Sequence, residues 1–206
     1  MATKALLARL DAVPGKEIAL ERFLNEALER TRTDAGMTAS FALKLGRDQY
    51  AIFDAFPDTA AREAHLGGGI VTSLASAAGL LSMPPLIQRA DILADKLPDS
   101  DSQVSKALLL SFRAKLGHEQ EVGEFLLSAR SFVAEEPRTT AWFAIRFDSW
   151  AGGHEEFGIF DVFPDNGGRF AHLTGHVPRE LARHSLSMLG SVPDIEMINV
   201  IAAKLH

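Results

Sequence analysis

Apolar residues fall in two rhythms along this chain. Ala39, Phe41, Leu43 and Leu45 occupy alternate positions, as do Ile159, Asp161 and Phe163, the period of a strand with one covered face. Ile18, Phe23 and Ala27 recur near 3.6 residues, the stripe of an amphipathic helix. Extended over the chain, these rhythms predict opening strands at 4–11 and 105–114 and helices at 15–33 and 117–134. Strand pairs follow at 37–45 with 49–56 and at 139–147 with 156–163, and closing strands at 88–96 and 195–204. Asp58 and Asp165 each stand behind a proline, where a short carboxylate side chain caps a helix start.

The predicted order, β-α-β-β-α-β, therefore occurs twice, and the residues repeat with it. Tyr50 to Leu66 reads YAIFDAFPDTAAREAHL and Phe157 to Leu173 reads FGIFDVFPDNGGRFAHL, ten of 17 positions being identical. Lys4-Ala5-Leu6-Leu7 returns as Lys106-Ala107-Leu108-Leu109, and Lys96-Leu97 as Lys204-Leu205. This arrangement is the ferredoxin-like split unit. We expect a first repeat at 1–97, a linker at 98–103 (proline, serine and aspartate with no apolar residue) and a second repeat at 104–206.

Composition narrows the function classes. With 206 residues, 47% hydrophobic and 23% charged, the chain can bury a core unaided. It has no cysteine, which excludes disulfides, thiolate metal sites and a cysteine nucleophile. A net charge of -6 argues against a nucleic-acid partner, since phosphate binding needs clustered cations. No apolar run reaches the length of a membrane span and the first residues lack a leader pattern, so a cytoplasmic protein with no membrane partner is expected. Splitting after Ser102 leaves -3 on each half, yet only His65 of seven histidines lies in the first half, and both tryptophans and nine of 13 phenylalanines lie in the second. That imbalance predicts a polar and aromatic site in the second half, with the first partly structural.

Ile-Phe-Asp-x-Phe-Pro-Asp followed by Arg-x-Ala-His-Leu, behind a Pro-Gly-Lys-Glu helix opening, resembles the antibiotic biosynthesis monooxygenase family of dimeric α+β barrels. The resemblance spans both repeats. It implies an α+β fold in which two tandem ferredoxin-like βαββαβ units turn their antiparallel sheets toward each other as an intramolecular dimeric α+β barrel. This internal pseudo-dimer would stand where relatives pair two chains, and further self-association stays open. Relatives oxidise electron-rich aromatics such as quinols and anthrones with oxygen, often without metal or flavin. The implied function is thus a cofactor-independent monooxygenase on a small aromatic. The alternative is a non-catalytic small-ligand-binding or structural protein on the same barrel.

Carried over by motif, Asp54 and Asp161 match the family's strand acid, His65 and His172 its helix histidine, and His176 its second histidine, where the first repeat has Gly69. Phe56 and Phe163 stand where a tryptophan is usual, which disfavours haem degradation and removes an indole donor. The expected catalytic set is His172, His176 and Asp161. Trp142, Arg146, Phe163, His65 and Asp54 are expected to bind substrate; Trp142 and Arg146 come from strand alternation alone. Each has a plainer role open to it: His65 and His172 as buried hydrogen-bonding groups, and Asp54 and Asp161 as partners of Arg62 and Arg169. His172, His176, Glu180 and His184 recur every fourth residue, a metal-binding spacing on one unbroken helix, but Gly175 and Pro178 should interrupt it. No metal or other cofactor is expected. Gly67-Gly68-Gly69 lacks the lysine of a phosphate loop and reads as a bend.

Overall fold

The computed structural model describes residues 1–31, 36–68, 74–98, 102–148 and 153–205. The linker core at 99–101, the stretch from Gly69 to Ser73, Trp150 and His206 lie outside the described residues. In order, the elements are β1 (Lys4–Asp11), α1 (Glu17–Thr31), β2 (Ala39–Lys44), β3 (Gln49–Phe56), α2 (Thr59–Gly67) and β4 (Leu86–Lys96). Then come β5 (Lys106–Arg113), α3 (Glu119–Ala134), β6 (Ala141–Phe147), β7 (Glu156–Phe163), α4 (Asn166–Leu173), α5 (His176–Met188) and β8 (Asp194–Leu205). The eight strands hydrogen-bond in the order β1-β3-β2-β8-β5-β7-β6-β4 and close as an antiparallel α+β barrel.

The expected strands and helices are all present, with ends shifted by one or two residues. Asp58 and Asp165 cap as predicted: their carboxylates accept from Ala61 N at 2.8 Å and Gly168 N at 2.9 Å. Gly15 and Gly117 take the left-handed φ of 83° and 85° that glycine adopts without strain, each in the turn entering a long helix. One helix, α5, was not expected as a separate element. Pro178 was read as a break, but it lies in the first turn of α5, where its missing N–H costs no helical bond.

The chain divides into two compact units, Met1–Arg89 with Ile198–His206, and Ala90–Met197. Their boundaries fall inside β4 and β8, not at the linker, because each closing strand is long enough to continue past its own repeat. In the first unit β1 pairs with β3 from Lys4↔Phe56 to Asp11↔Gln49, β3 pairs with β2, and β2 pairs with residues 199–205 of β8. In the second unit β5 pairs with β7 from Lys106↔Phe163 to Arg113↔Glu156, β7 pairs with β6, and β6 pairs with residues 90–96 of β4.

The core of each unit lies where its helices cover one sheet face. Leu20, Leu24 and Leu28 of α1 pack with Ala8, Leu10, Ala42 and Tyr50 in the first unit. Val122, Leu126, Ala129 and Val133 of α3 pack with Trp142, Ala144, Phe157 and Ile159 in the second, joined by Val177 and Leu181 of α5. A lysine on each closing strand secures the end of the long helix. Lys204 Nζ donates to Thr31 O at 2.6 Å, and Lys96 Nζ to Val133 O at 2.9 Å and Glu136 O at 2.6 Å, satisfying carbonyls that a helix end leaves without partners.

Candidate functional site

Strand alternation puts Asp54 on the helix-covered face of β3 and Asp161 on that of β7. The following helix brings His65 or His172 over it. Both acids are 2% exposed, a placement that needs a partner. In the second unit His172 Nε2 lies 3.4 Å from Asp161 Oδ1, ion-pairing distance without the alignment of a hydrogen bond; Asp161 Oδ1 is buried and has no hydrogen bond. In the first unit His65 Nε2 lies 3.4 Å from Asp54 Oδ2, again unaligned. Phe56 and Phe163 pack on these imidazoles, with ring centroids 5.3 Å and 5.5 Å apart.

Beyond that shared pair the two sites differ. In the first, Ser40 Oγ donates to Asp54 Oδ1 at 2.6 Å. Trp142 holds Ser40's place in the second, opposite Asp161 in the β6–β7 register. Its indole is fully buried and Nε1 has no hydrogen-bond partner. The second site adds Glu136, from the turn after α3. His172 Nδ1 and Glu136 Oε2 are 2.6 Å apart, and Thr139 Oγ1 donates to the same oxygen at 2.7 Å. A Cβ at Gly175 would meet His172 O at 2.8 Å and Glu136 Oε1 at 3.0 Å, so the absent side chain there is what admits the carboxylate.

These contacts set the ionisation of the second site. Burial pushes the Asp161 carboxyl up to about 6, against a smaller downward pull from His172. Burial pulls the His172 imidazole down, but Asp161 and Glu136 on either side outweigh it, leaving the group above its ordinary value. Glu136 is pushed up by burial and pulled below the usual range by its bonds to His172 and Thr139. The imidazole thus lies between two carboxyls that favour its protonated form.

Each pair opens on a cavity of about 260 Å³. The first-unit cavity runs along α1, past Phe23, Ala27, Leu28 and Arg30, to Ser40, Asp54 and His65. The second lies on the other side of its pair, against α5, with Val177, Leu181 and Ala182 facing Leu108, Leu110 and Ile159; Asp161 and His172 are its polar wall. Trp142 accounts for the shift, since it fills the space beside the acid that Ser40 leaves open. The first half, expected to be partly structural, thus carries a cavity of equal size.

The remaining sequence-derived residues fall elsewhere. Trp142 belongs to the core beside the pair and does not line the second cavity. Arg146 is 44% exposed and pairs with Asp91 at 3.3 Å. His176 begins α5, packs against Phe132 in a tilted arrangement with centroids 4.0 Å apart and borders a surface depression shared with Glu136 and His172. Arg62 pairs with Glu63 at 3.3 Å, and Arg169 donates to Asn166 Oδ1 at 2.8 Å. His172 closes α4 while His176, Glu180 and His184 belong to α5. Among the described residues no group of three or more histidine, aspartate or glutamate side chains is placed to hold a metal ion, and no helix is long and apolar enough to cross a membrane. Glu136, the residue closest to His172, lies in no repeated motif and was not anticipated.

No family model and no curated protein sequence matches the chain. Solved structures do. A candidate monooxygenase from Fusobacterium nucleatum superposes with a TM-score of 0.85 at 13% identity, over 99% of this chain and 94% of that one. An anthrone oxidase-like protein gives 0.67 at 9% identity, over 99% and 93%. An uncharacterised ferredoxin-fold protein related to antibiotic biosynthesis monooxygenases, from Listeria monocytogenes, gives 0.55 at 9% identity, over 97% and 95%. At such identities the likeness is one of fold alone.

Proposed function

We propose that the second-unit cavity binds a small electron-rich aromatic, quinol- or anthrone-like, and promotes its oxidation by oxygen. The supporting observation is the Asp161–His172 pair, the polar wall of an otherwise apolar cavity. A carboxyl that titrates near 6 is matched to accepting a proton close to neutral pH. Asp161 takes the proton from an activated C–H or O–H of the substrate. The His172 cation faces the oxygen on which negative charge collects. The apolar walls keep water from competing for that anion.

For an anthrone the balance is simple. The carbanion passes electrons to oxygen, a carbon–oxygen bond forms, and water leaves, so CH₂ plus O₂ becomes C=O plus H₂O. His172 and Asp161 move protons and hold charge; the substrate supplies the electrons. The same reading takes the two halves as duplicated ferredoxin-like units, supported by the ten identical positions and the matching β1–β3 and β5–β7 registers.

Anaerobic mixing with anthrones and quinols, followed by oxygen addition, tests the reading. Wild type should consume oxygen, with Asp161→Asn at least about 10²-fold slower and Asp54→Asn within a few-fold of wild type. No turnover over a broad panel, or an unaffected Asp161→Asn, overturns it; tight binding without turnover would favour the non-catalytic ligand-binding alternative.

A further inference from the structure

Glu136 is unused by the chemistry just described, yet it is the group nearest His172. It belongs neither to the repeated motif nor to the cavity wall. It faces the other way, into a depression lined by Phe132, Arg138, Thr139, Gly175 and His176. Among the described residues, His172 alone borders both that depression and the inner cavity. Its Nε2 looks toward Asp161 and its Nδ1 toward Glu136, at 3.4 Å and 2.6 Å. The imidazole side chain is 4% exposed, whereas Glu136 is 20% exposed. Burial thus falls off from the acid in the cavity to the acid at the surface.

We propose that Asp161, His172 and Glu136 form a proton relay, with Glu136 as its outer end, so that a proton taken up in the cavity leaves through the depression and not through the cavity mouth. This rests on the reading of the cavity as a deprotonation site. Imidazole suits the middle position because it accepts a proton on one nitrogen while releasing one from the other. Thr139, bonded to the Glu136 oxygen that meets Nδ1, orients that oxygen, and Gly175 leaves room for it. Glu136 acts through His172 and is a positioning and proton-accepting residue, not one that touches substrate. The first unit has Met37 where Thr139 stands, so it lacks this orienting hydroxyl. The charged groups around His172 are Asp161 from β7, Glu136 from the turn after α3, and Lys96 from β4, whose field opposes the two acids; His176 borders the depression from α5.

Two readouts on the full chain separate the relay from the reading it rests on. The first needs no ligand: the His172 titration followed by NMR. Its midpoint should fall by at least one pH unit in Glu136→Gln and by less in Thr139→Val, since each weakens what holds the cation. An unchanged midpoint in Glu136→Gln overturns the relay. The second uses 1,8-dihydroxyanthraquinone, whose visible spectrum distinguishes neutral and ionised forms, mixed rapidly with the protein. Glu136→Gln should bind it within about twofold of wild type but ionise it at least tenfold more slowly, with added acetate restoring the rate. Equal ionisation rates in Glu136→Gln and wild type also overturn the relay. A probe that stays neutral in wild type, beside a midpoint that still falls, overturns the deprotonation reading and leaves Glu136 coupled to His172.

Discussion

Asp54 and Asp161 sit at equivalent places in the repeat, each 3.4 Å from a histidine, yet their other neighbours differ. Ser40 gives Asp54 a hydrogen bond in place. Trp142 gives Asp161 none and shuts out the space beside it. The same substitution moves the cavity from the α1 side of the pair in the first unit to the α5 side in the second. One strand position thus changes the satisfaction of a buried acid and the location of the volume next to it. The repeated motif fixes the acid and its histidine; the residue opposite, outside the motif, fixes their surroundings.

The comparison can be broken at several points, beginning with the largest effect. Trp142→Ala should cost about 3–5 kcal/mol of unfolding free energy, the usual range for emptying a buried aromatic site. Urea denaturation measures it. A loss below about 1 kcal/mol would mean that the indole does not fill the space assigned to it.

The pH dependence of stability comes next. Asp161 has a native value of about 6 against an ordinary value near 3.9. It binds its proton more tightly folded than unfolded, so its contribution falls as pH rises from about 4 through 6, by on the order of 2–3 kcal/mol. His172, also raised, has the same sign: its stabilisation is full below the ordinary histidine range and is lost as pH climbs through its higher native value. Glu136, lowered, has the opposite sign, stabilising above the ordinary glutamate range and less as pH falls through its native value. The unfolding free energy of wild type minus that of Asp161→Asn should therefore fall from pH 4 to pH 7 in urea titrations. Parallel profiles would remove the raised value assigned to Asp161.

Ser40→Ala should cost about 1–3 kcal/mol, the penalty for leaving the buried Asp54 without its donor, and its denaturation midpoint reports that directly. A neutral Ser40→Ala would erase the contrast with Trp142. The smallest effect belongs to the shared lysines. Lys96→Met and Lys204→Met should each cost about 1 kcal/mol for the lost helix-end bonds, and similar thermal shifts in the two would show that this part of the repeat has not diverged.

Much of this could be read from the residues. The strands and the long helices follow from period and repetition; Asp54, Asp161, His65 and His172 were singled out by family resemblance, but the arginines Arg62 and Arg169 were expected beside the acids where the histidines stand. What failed to show has physical reasons. Arg146 shares the alternation of Trp142, but alternation assigns a face and not a depth, and its side chain reaches Asp91 near the surface. His176 was joined to His172 by the family motif, but a motif carries no orientation: His176 opens a new helix and lies against Phe132. Glu136 lies in a turn with no periodic signal, and its role depends on a contact 36 residues away.

The closing strands carry a further consequence. Residues 199–205 complete the sheet of the unit that begins at Met1, pairing with β2 from Ala39↔Leu205 to Lys44↔Asn199. On a ribosome these residues are made after everything they join, so the N-terminal unit waits with an open sheet edge until they have been synthesised. Contacts so far apart in sequence slow folding, and an edge left unpaired invites the wrong strand. Assembly of this molecule is therefore bound to the timing of its own translation: the half that is made first is the half that must be finished last.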